Sequence, residues 1–336
     1  MKLEEIDPRD LDKFVKKNHP DANFLQTSSW GRVHELAGDK VFYLKLWDGE
    51  ETRGVCVAIL KMARRGRYIE MPGGPLIEWG SRADVRAMMI GLKKLAVREG
   101  CVFVRLRPNI ENTKESRESL EGGGLVTAVG QLHAEHTIMM NLGLSEEELL
   151  AGMRRQTRYE VKRAEKLGVK VSFSTDAEAF LEFCKVQQAT ARRQGFVTSP
   201  EKLVLAQREV FGDRARIYRA ELDGKLLALG LILMQEPEAI YHEAASTEEG
   251  RKLPGAYALQ WRAIRDAKAM GCSRYNLFGI APPNAPRHRY AGVTTFKKGF
   301  GGEQLAYVPA YDLVVNPVKY QMTKLVEGVR KRRRHL

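Results

Sequence analysis

The sequence predicts an α/β chain of mixed α+β character, organised as two similar units in tandem. Three observations predict it. Segments with apolar residues at helical spacing alternate with strand-like segments along the chain. Residues 23–110 run helix, strand, strand, strand, helix, strand, and residues 178–280 give the same order after their opening helices. The 336 residues are 43% hydrophobic, ample for two cores.

The first helix is expected from Pro8 to Lys17. "NFLQTSSWGRVHELAG" (23–38) reads as a cap and a second helix, with Ser28 or Ser29 as N-cap. "KVFYLKLWD" and "TRGVCVAILKMARRG" alternate as strands. In "YIEMPGGPLIEWG" a strand is interrupted at Pro72-Gly73-Gly74-Pro75, where the backbone turns sharply. "SRADVRAMMIGLKKLAVREG" is a helix ending at Gly100, and "CVFVRLRPNI" a buried strand stopped by Pro108. After Gly122-Gly123-Gly124, "HTIMMNL" is a strand. "LSEEELLAGMRRQTRYEVKRAEKLG" reads as two helices, with Ser145 and Glu148 as a capping box. A strand "VKVSFST" and helices over "DAEAFLEFCKVQQATARRQG" and "PEKLVLAQREVFG" follow. Strands "ARIYRAELDGK", "LLALGLILMQ" and "AIYHEAAS" come next, then the helix "YALQWRAIRDAKAMG" and the strand "RYNLFGI". "TTFKKGFGGE" (294–303) reads as an aromatic strand carrying two lysines, followed by a glycine turn. No long heptad segment suggests a coiled-coil arm.

Charge narrows the partners. Lys plus Arg is 55 against 42 Asp plus Glu, a net +13 with a pI near 9.5. Such an excess favours nucleic acid, phosphorylated substrates or an anionic membrane face, with a merely basic, soluble surface as the plainer explanation. Arg330-Lys331-Arg332-Arg333-Arg334 forms a basic tail. Cys56, Cys101, Cys184 and Cys272 are scattered singly with no CxxC pair, as expected for reduced, packed thiols rather than a disulfide or zinc site. No apolar run reaches the length of a membrane span, and "MKLEEIDPRD" lacks a secretory core. A cytoplasmic enzyme is expected.

Motif searches exclude several chemistries. There is no phosphate-binding GxxxxGK[ST], no GxGxxG after a strand, no GxSxG elbow, and no cysteine with an evident His partner. His133 and His136 have no third metal ligand near in sequence, so no metal is expected. What remains is transfer chemistry that needs positioning and charge. "RKLPGAYALQW" (251–261) compares with an acyl-coenzyme A pyrophosphate loop leading into a helix N-terminus. Lys252 and Gly255 fit its first half, but Tyr257 occupies the second small position and obstructs a pyrophosphate.

"AIYHEAAS", "LPGAYALQWRAIRDAKAMGCSRYNLFGI" and "GVTTFKKGFGGE" together resemble the Fem family (FemA, FemB and FemX types), the non-ribosomal peptidoglycan aminoacyltransferases. "NFLQTSSWGRV", "YIEMPGGPL" and "TIMMNLGLSEEELLAGMRRQTRYEVKRAEKLGVKV" resemble it too, so the likeness runs through nearly the whole chain. The resemblance implies two tandem GNAT-like acyltransferase domains without a coiled-coil arm. We expect these at 1–143, completed by a C-terminal helix 317–336 packed back on it, and at 144–316. It implies transfer of an amino acid from aminoacyl-tRNA, a co-substrate, with no other cofactor. The acceptor is the stem-peptide amine of a peptidoglycan precursor, either UDP-MurNAc-pentapeptide or lipid II, and the product an interpeptide bridge. The protein is expected to act as a monomer in the cytoplasm, in peripheral contact with the anionic inner face of the plasma membrane.

The implied reaction is aminolysis of an ester, which needs a deprotonated amine and a stabilised oxyanion but no covalent enzyme intermediate. In the resemblance, the lysine of the FK pair supplies a cation near the carbonyl oxygen, and it maps to Lys297. On a strand, Phe296 and Lys298 would face away from Lys297, leaving Lys298 solvated. Basic residues hold the nucleotide-sugar diphosphate: Arg32 and His34 are candidates near the "Q…W" helix, with a helix-surface role as the alternative. Lys202 is a second candidate and Arg193 its fallback. Tyr241 lines the substrate channel or packs in the core, and Phe296 is placed with the substrate contacts. Relatives tend to carry an acidic residue where this chain has Arg107-Pro108. Arg107 is therefore a candidate seat for a precursor phosphate or carboxylate, and Glu243, Glu135 or the substrate itself is left to accept the proton. Arg154, Arg155, Arg158, Lys162 and Arg163 fall within three turns and are candidate tRNA contacts or a solvated face. Two other classes remain open: a GNAT-type N-acyltransferase using acyl-coenzyme A, and a non-catalytic tRNA- or membrane-binding protein.

Overall fold

The structure, a computed structural model, describes residues 1–63, 66–130, 133–195, 197–283, 285, 288 and 290–334; the side chains of residues 194 and 330–334 lie outside that description. The chain forms two compact units. The first contains residues 1–135, 282–289 and 306–336; the second contains 136–281 and 290–305. Against the expected ranges, the strand after residue 135 joins the second unit, and residues from 306 return to the first.

In chain order the first unit begins with β1 (Lys2–Glu5), α1 (Pro8–Asn18), α2 (Ser28–Leu36), β2 (Lys40–Trp47), β3 (Thr52–Ala63), β4 (Gly66–Gly73) and β5 (Leu76–Ile77). It continues with α3 (Arg82–Arg98), β6 (Cys101–Pro108), α4 (Lys114–Gly122) and β7 (Val126–Thr127). The second unit holds β8 (His136–Asn141), α5 (Glu146–Gly152), α6 (Arg155–Lys166), β9 (Lys170–Ser174), α7 (Ala177–Gln194), α8 (Glu201–Phe211) and β10 (Ala215–Leu222). Then come β11 (Lys225–Gln235), β12 (Glu238–Ser246), α9 (Gly255–Ala269), β13 (Arg274–Asn276), α10 (Ala291–Lys298) and β14 (Glu303–Ala306), the last residue of which belongs to the first unit. β15 (Tyr311–Val314) and α11 (Pro317–Arg334) complete the first unit.

One sheet runs β1-β2-β3-β4-β6-β15-β7, with β5 beside β3. The other runs β14-β8-β13-β12-β11-β10-β9. Each contains an antiparallel meander followed, after a helix, by a parallel strand: β4 with β6, and β12 with β13. The helix between them supplies the core. In α3, Met88, Leu92, Leu95 and Ala96 recur at helical spacing and pack on Ile69, Met71, Val104 and Leu106. In α9, Leu259, Ala263, Ile264 and Ala267 pack on Ile232, Met234 and Tyr275.

Local signals decide the ends. Ser145 and Glu148 make both bonds of the capping box that starts α5. Thr27, rather than Ser28 or Ser29, caps α2, its side chain accepting from Trp30 N. β1 and α4 carry little sequence signal: one is a four-residue edge strand and the other buries a single leucine, Leu120. The expected strand at 294–303 is instead the helix α10 and the start of β14. Thr294 shows why. Its hydroxyl donates to Tyr290 O at 2.6 Å and accepts from Ala281 N at 2.8 Å, so tertiary contacts override the strand preference of the threonines and Phe296.

Candidate active site

In the second unit, β12 and β13 pair only over Glu238–Ile240 and Arg274–Asn276, and then part. Tyr241 is the next residue on one side; Phe278 and Gly279 follow on the other. Phe278 sits in the left-handed region at φ 57°. Its N–H donates to Asn276 Oδ1 at 2.8 Å, which holds the turn. Lys297, near the end of α10, reaches into this opening. Its Nζ donates to Gly279 O at 2.8 Å and Phe278 O at 3.3 Å, and lies 5.7 Å from the centre of the Tyr241 ring.

Lys297 is 7% exposed, and among the described residues no carboxylate pairs with it. Burial pushes its pKa down to about 7. An ammonium has three donors, and two are committed to carbonyls, leaving one N–H for an incoming oxygen. The lysine can therefore carry either charge state near neutrality.

A polar cluster adjoins it. Opposite β11, Leu231 pairs with Glu243 and Ile232 with Tyr241, so His242 is the extra residue of a β-bulge. Its ring centre is 5.7 Å from that of Phe278, and Nδ1 is 4.0 Å from Glu243 Oε1. Burial lowers the His242 pKa, while Glu243 opposes the shift. The Glu243 carboxylate accepts from Ser199 Oγ at 2.7 Å and from Gln187 Nε2 on α7. No spacing rule marks Gln187, Ser199, Phe278 or Gly279, which meet only through the fold.

Lys297 is on a helix, so the expected alternation with Phe296 and Lys298 is replaced by 100° steps. Lys298 is exposed. Phe296 turns into an aromatic cluster, 5.0 Å from Tyr257 and 5.1 Å from Phe300 between ring centres. The glycines that follow are required by contact: a Cβ at Gly299 would lie 2.1 Å from Thr157 Oγ1, and one at Gly301, where φ is +84°, would lie 2.8 Å from Gly152 O.

The basic helix starts beside that turn, with Arg154 N donating to Gly299 O at 2.9 Å. Arg154, Arg155 and Lys162 are exposed. Arg158 instead donates to Ala151 O at 2.8 Å and to Met153 O, capping the end of α5, and Arg163 pairs with Glu160 at 3.0 Å. Lys202 is exposed in the first turn of α8, and Arg193 bonds Ser246 O.

The first unit separates its three candidates. Arg32 is exposed and pairs with Glu35 at 3.1 Å. His34 is not a helix-surface residue. It is 4% exposed, with Nδ1 2.7 Å from Asp39 Oδ2, an oxygen that Lys61 Nζ also bonds at 2.6 Å. Burial lowers the His34 pKa; it also works against Asp39, but the bonds from His34 and Lys61 prevail and hold Asp39 at about 2. Arg107 is 2% exposed, donates to Asn109 Oδ1 at 2.9 Å and lies 5.5 Å from the Tyr307 ring centre. Its Nε has no hydrogen-bond partner among the described residues, and burial lowers its pKa to about 10 against the pull of Tyr307 and Glu135. Asn109, Pro108, Gly73, Pro75 and Trp79 line a cavity of about 260 Å³ where β4 and β6 end.

A profile of the FemAB family matches residues 6–123, 123–227 and 223–328. The chain belongs to the FemAB family. Among curated FemAB relatives, the lipid II:glycine glycyltransferase of Staphylococcus aureus is 23% identical over 209 residues, 59% of this chain and 49% of that protein. The chain spans a quarter to a half of the length of the curated relatives it matches. The crystal structure of FemX superposes with a TM-score of 0.82 at 18% identity, covering 96% of this chain and 100% of that one. A tandem GNAT protein from the clavulanic acid biosynthesis pathway superposes at 0.60 with 12% identity, covering 94% and 99%. The FemAB fold here is therefore a pair of GNAT-like units. Among the described residues there is no cluster of His, Cys, Asp or Glu suited to a metal, and no helix is long and apolar enough to cross a membrane.

Proposed function

We propose that this chain is an aminoacyltransferase that moves an amino acid from aminoacyl-tRNA to the stem-peptide amine of a peptidoglycan precursor, UDP-MurNAc-pentapeptide or lipid II. The observation that carries the reading is Lys297: a buried lysine, free of carboxylates among the described residues, held by two carbonyls where two strands part. As the amine attacks the ester, negative charge grows on the carbonyl oxygen. A cation at that oxygen gains more from the transition state than from the neutral ester, which is what lowers a barrier. Among the described residues, no ion pair competes for its charge.

The other residues take roles by chemistry. Glu243, oriented by Ser199 and Gln187 and next to His242, is the proposed acceptor of the proton that the stem-peptide ammonium loses to become the attacking amine. Arg107 offers a buried guanidinium, whose Nε has no hydrogen-bond partner among the described residues, to a phosphate or carboxylate, and Arg32 and Lys202 offer exposed cations for the diphosphate. Arg154, Arg155 and Lys162 are the proposed tRNA contacts; Arg158 serves α5 instead. Transfer from acyl-coenzyme A has less support, because Tyr257 packs with Phe296 and Phe300 at the start of α9, where a pyrophosphate would need small residues. The test is to incubate the protein with charged tRNAs and each precursor, then weigh the products. The expected result is a mass gain on one precursor that RNase abolishes; no gain on any precursor contradicts the reading.

A further inference from the structure

α11 has two faces. One docks on the first unit: Tyr320 and Thr323 are 3% and 4% exposed, and Tyr320 donates to Asp312 Oδ2 at 2.9 Å. On the same side Glu327 accepts from Arg105 at 2.9 and 3.1 Å. The opposite face carries Val318, Met322, Leu325 and Val329, exposed by 76%, 66%, 73% and 51%. Steps of four, three and four residues align them in one stripe, with Val326 beside it. Apolar residues scattered singly on a surface are ordinary; four in register along one helix are not.

Charge says what covers the stripe. Between Pro317 and Arg334 the sequence carries Lys319, Lys324 and Arg330-Lys331-Arg332-Arg333-Arg334 against one acid, Glu327, and that acid is consumed by Arg105. Among the described side chains, the outward side of α11 thus combines the apolar stripe with exposed Lys319 and Lys324 and carries no carboxylate. We propose that α11 docks the protein on an anionic lipid bilayer, lying in the interface with Val318, Met322, Leu325 and Val329 among the acyl chains. A helix of this kind binds through buried apolar area together with attraction between its cations and anionic headgroups. Nucleic acid would match the cations but leave the stripe in water. A second copy would cover the stripe but bring like charges together without acids to pair them. The inference is independent of the transfer chemistry, since it concerns adhesion alone.

The test is sedimentation of the full chain with vesicles of phosphatidylcholine, with or without phosphatidylglycerol, for the wild type, a Met322→Asp/Leu325→Asp variant and a Val97→Asp control on α3. Val97 is 62% exposed and lies outside α11, and all three substitutions are at the surface, so melting temperature should hold. The wild type and Val97→Asp are expected to bind the phosphatidylglycerol vesicles at least about tenfold more tightly than the neutral ones, and the double variant to lose that advantage. Equal binding to both vesicles, or undiminished binding by the double variant, overturns the proposal. So does a wild-type dimer in light scattering that the double variant abolishes, which would assign the stripe to a second copy.

Discussion

Arg105 and Lys297 are both buried cations, one in each unit, and their surroundings treat them in opposite ways. Burial works against the charge of Arg105, but Asp312 takes Nε and Nη2 at 2.8 Å each and Glu327 adds two further bonds, which raise its pKa above the ordinary arginine value. Lys297 receives only carbonyl oxygens, and burial pulls it down to about 7. The first cation is a fixed strut between β6, β15 and α11. The second donates to carbonyls alone and has no carboxylate partner among the described residues. Arg107, two residues along the strand from Arg105, sides with Lys297: buried, lowered, and paired with an amide rather than an acid. Partner chemistry, more than burial, separates structural cations from candidate functional ones.

The comparison breaks first at Arg105. Arg105→Ala strands two carboxylates and should cost on the order of 3–5 kcal/mol in denaturant unfolding; a loss below about 1 kcal/mol would mean the ions are not a strut. Lys297→Met should do the reverse. The lysine pKa is about 7 when folded and 10.5 unperturbed, so the unfolded chain holds the proton more tightly and folding improves as pH rises through that window. Removing the lysine should therefore leave stability near pH 7 unchanged or raised by up to a few kcal/mol, and flatten the rise, as melting curves between about pH 7 and about pH 10 would record. Arg107→Met should keep the fold and raise the KM for the precursor about tenfold, the worth of one charge-assisted contact. Lys298→Ala, a surface change beside the site, should alter kcat/KM by no more than about threefold.

Much of the fold was legible because its signals are local. The Ser145–Glu148 box, the Pro72–Pro75 interruption and the apolar spacing of α3 and α9 each fix an element without help from distant residues. The duplicated order followed from those elements. α10 departs from the strand its sequence suggests because Thr294, Thr295 and Phe296 favour strand, while its winding depends on Thr294 bonding Ala281, a contact invisible in sequence. A helical signal was nonetheless present in Phe296 and Phe300, four apart and both packed on Tyr257. Of the candidate site, Lys297 and Tyr241 do come together. For His34, neither the diphosphate role nor its helix-surface alternative foresees the buried ion network, because its partners Asp39 and Lys61 are separated from it by a turn and a strand. Arg158 faces its own neighbouring helix end, which a charge count along α6 does not reveal.

The central claim is that Lys297 acts as a cation on the reacting carbonyl. Its direct test is kcat/KM for transfer from charged tRNA to the precursor, from about pH 6 to about pH 9, for the wild type, Lys297→Met and Lys297→Arg. The account predicts that Met costs about 10²-fold or more. It also predicts that wild-type activity is limited by a group losing its proton near pH 7, and that Arg, which stays charged, retains part of the activity without that limb. A folded Lys297→Met protein within a few-fold of wild type, or an alkaline limb unchanged in Lys297→Arg, would contradict it.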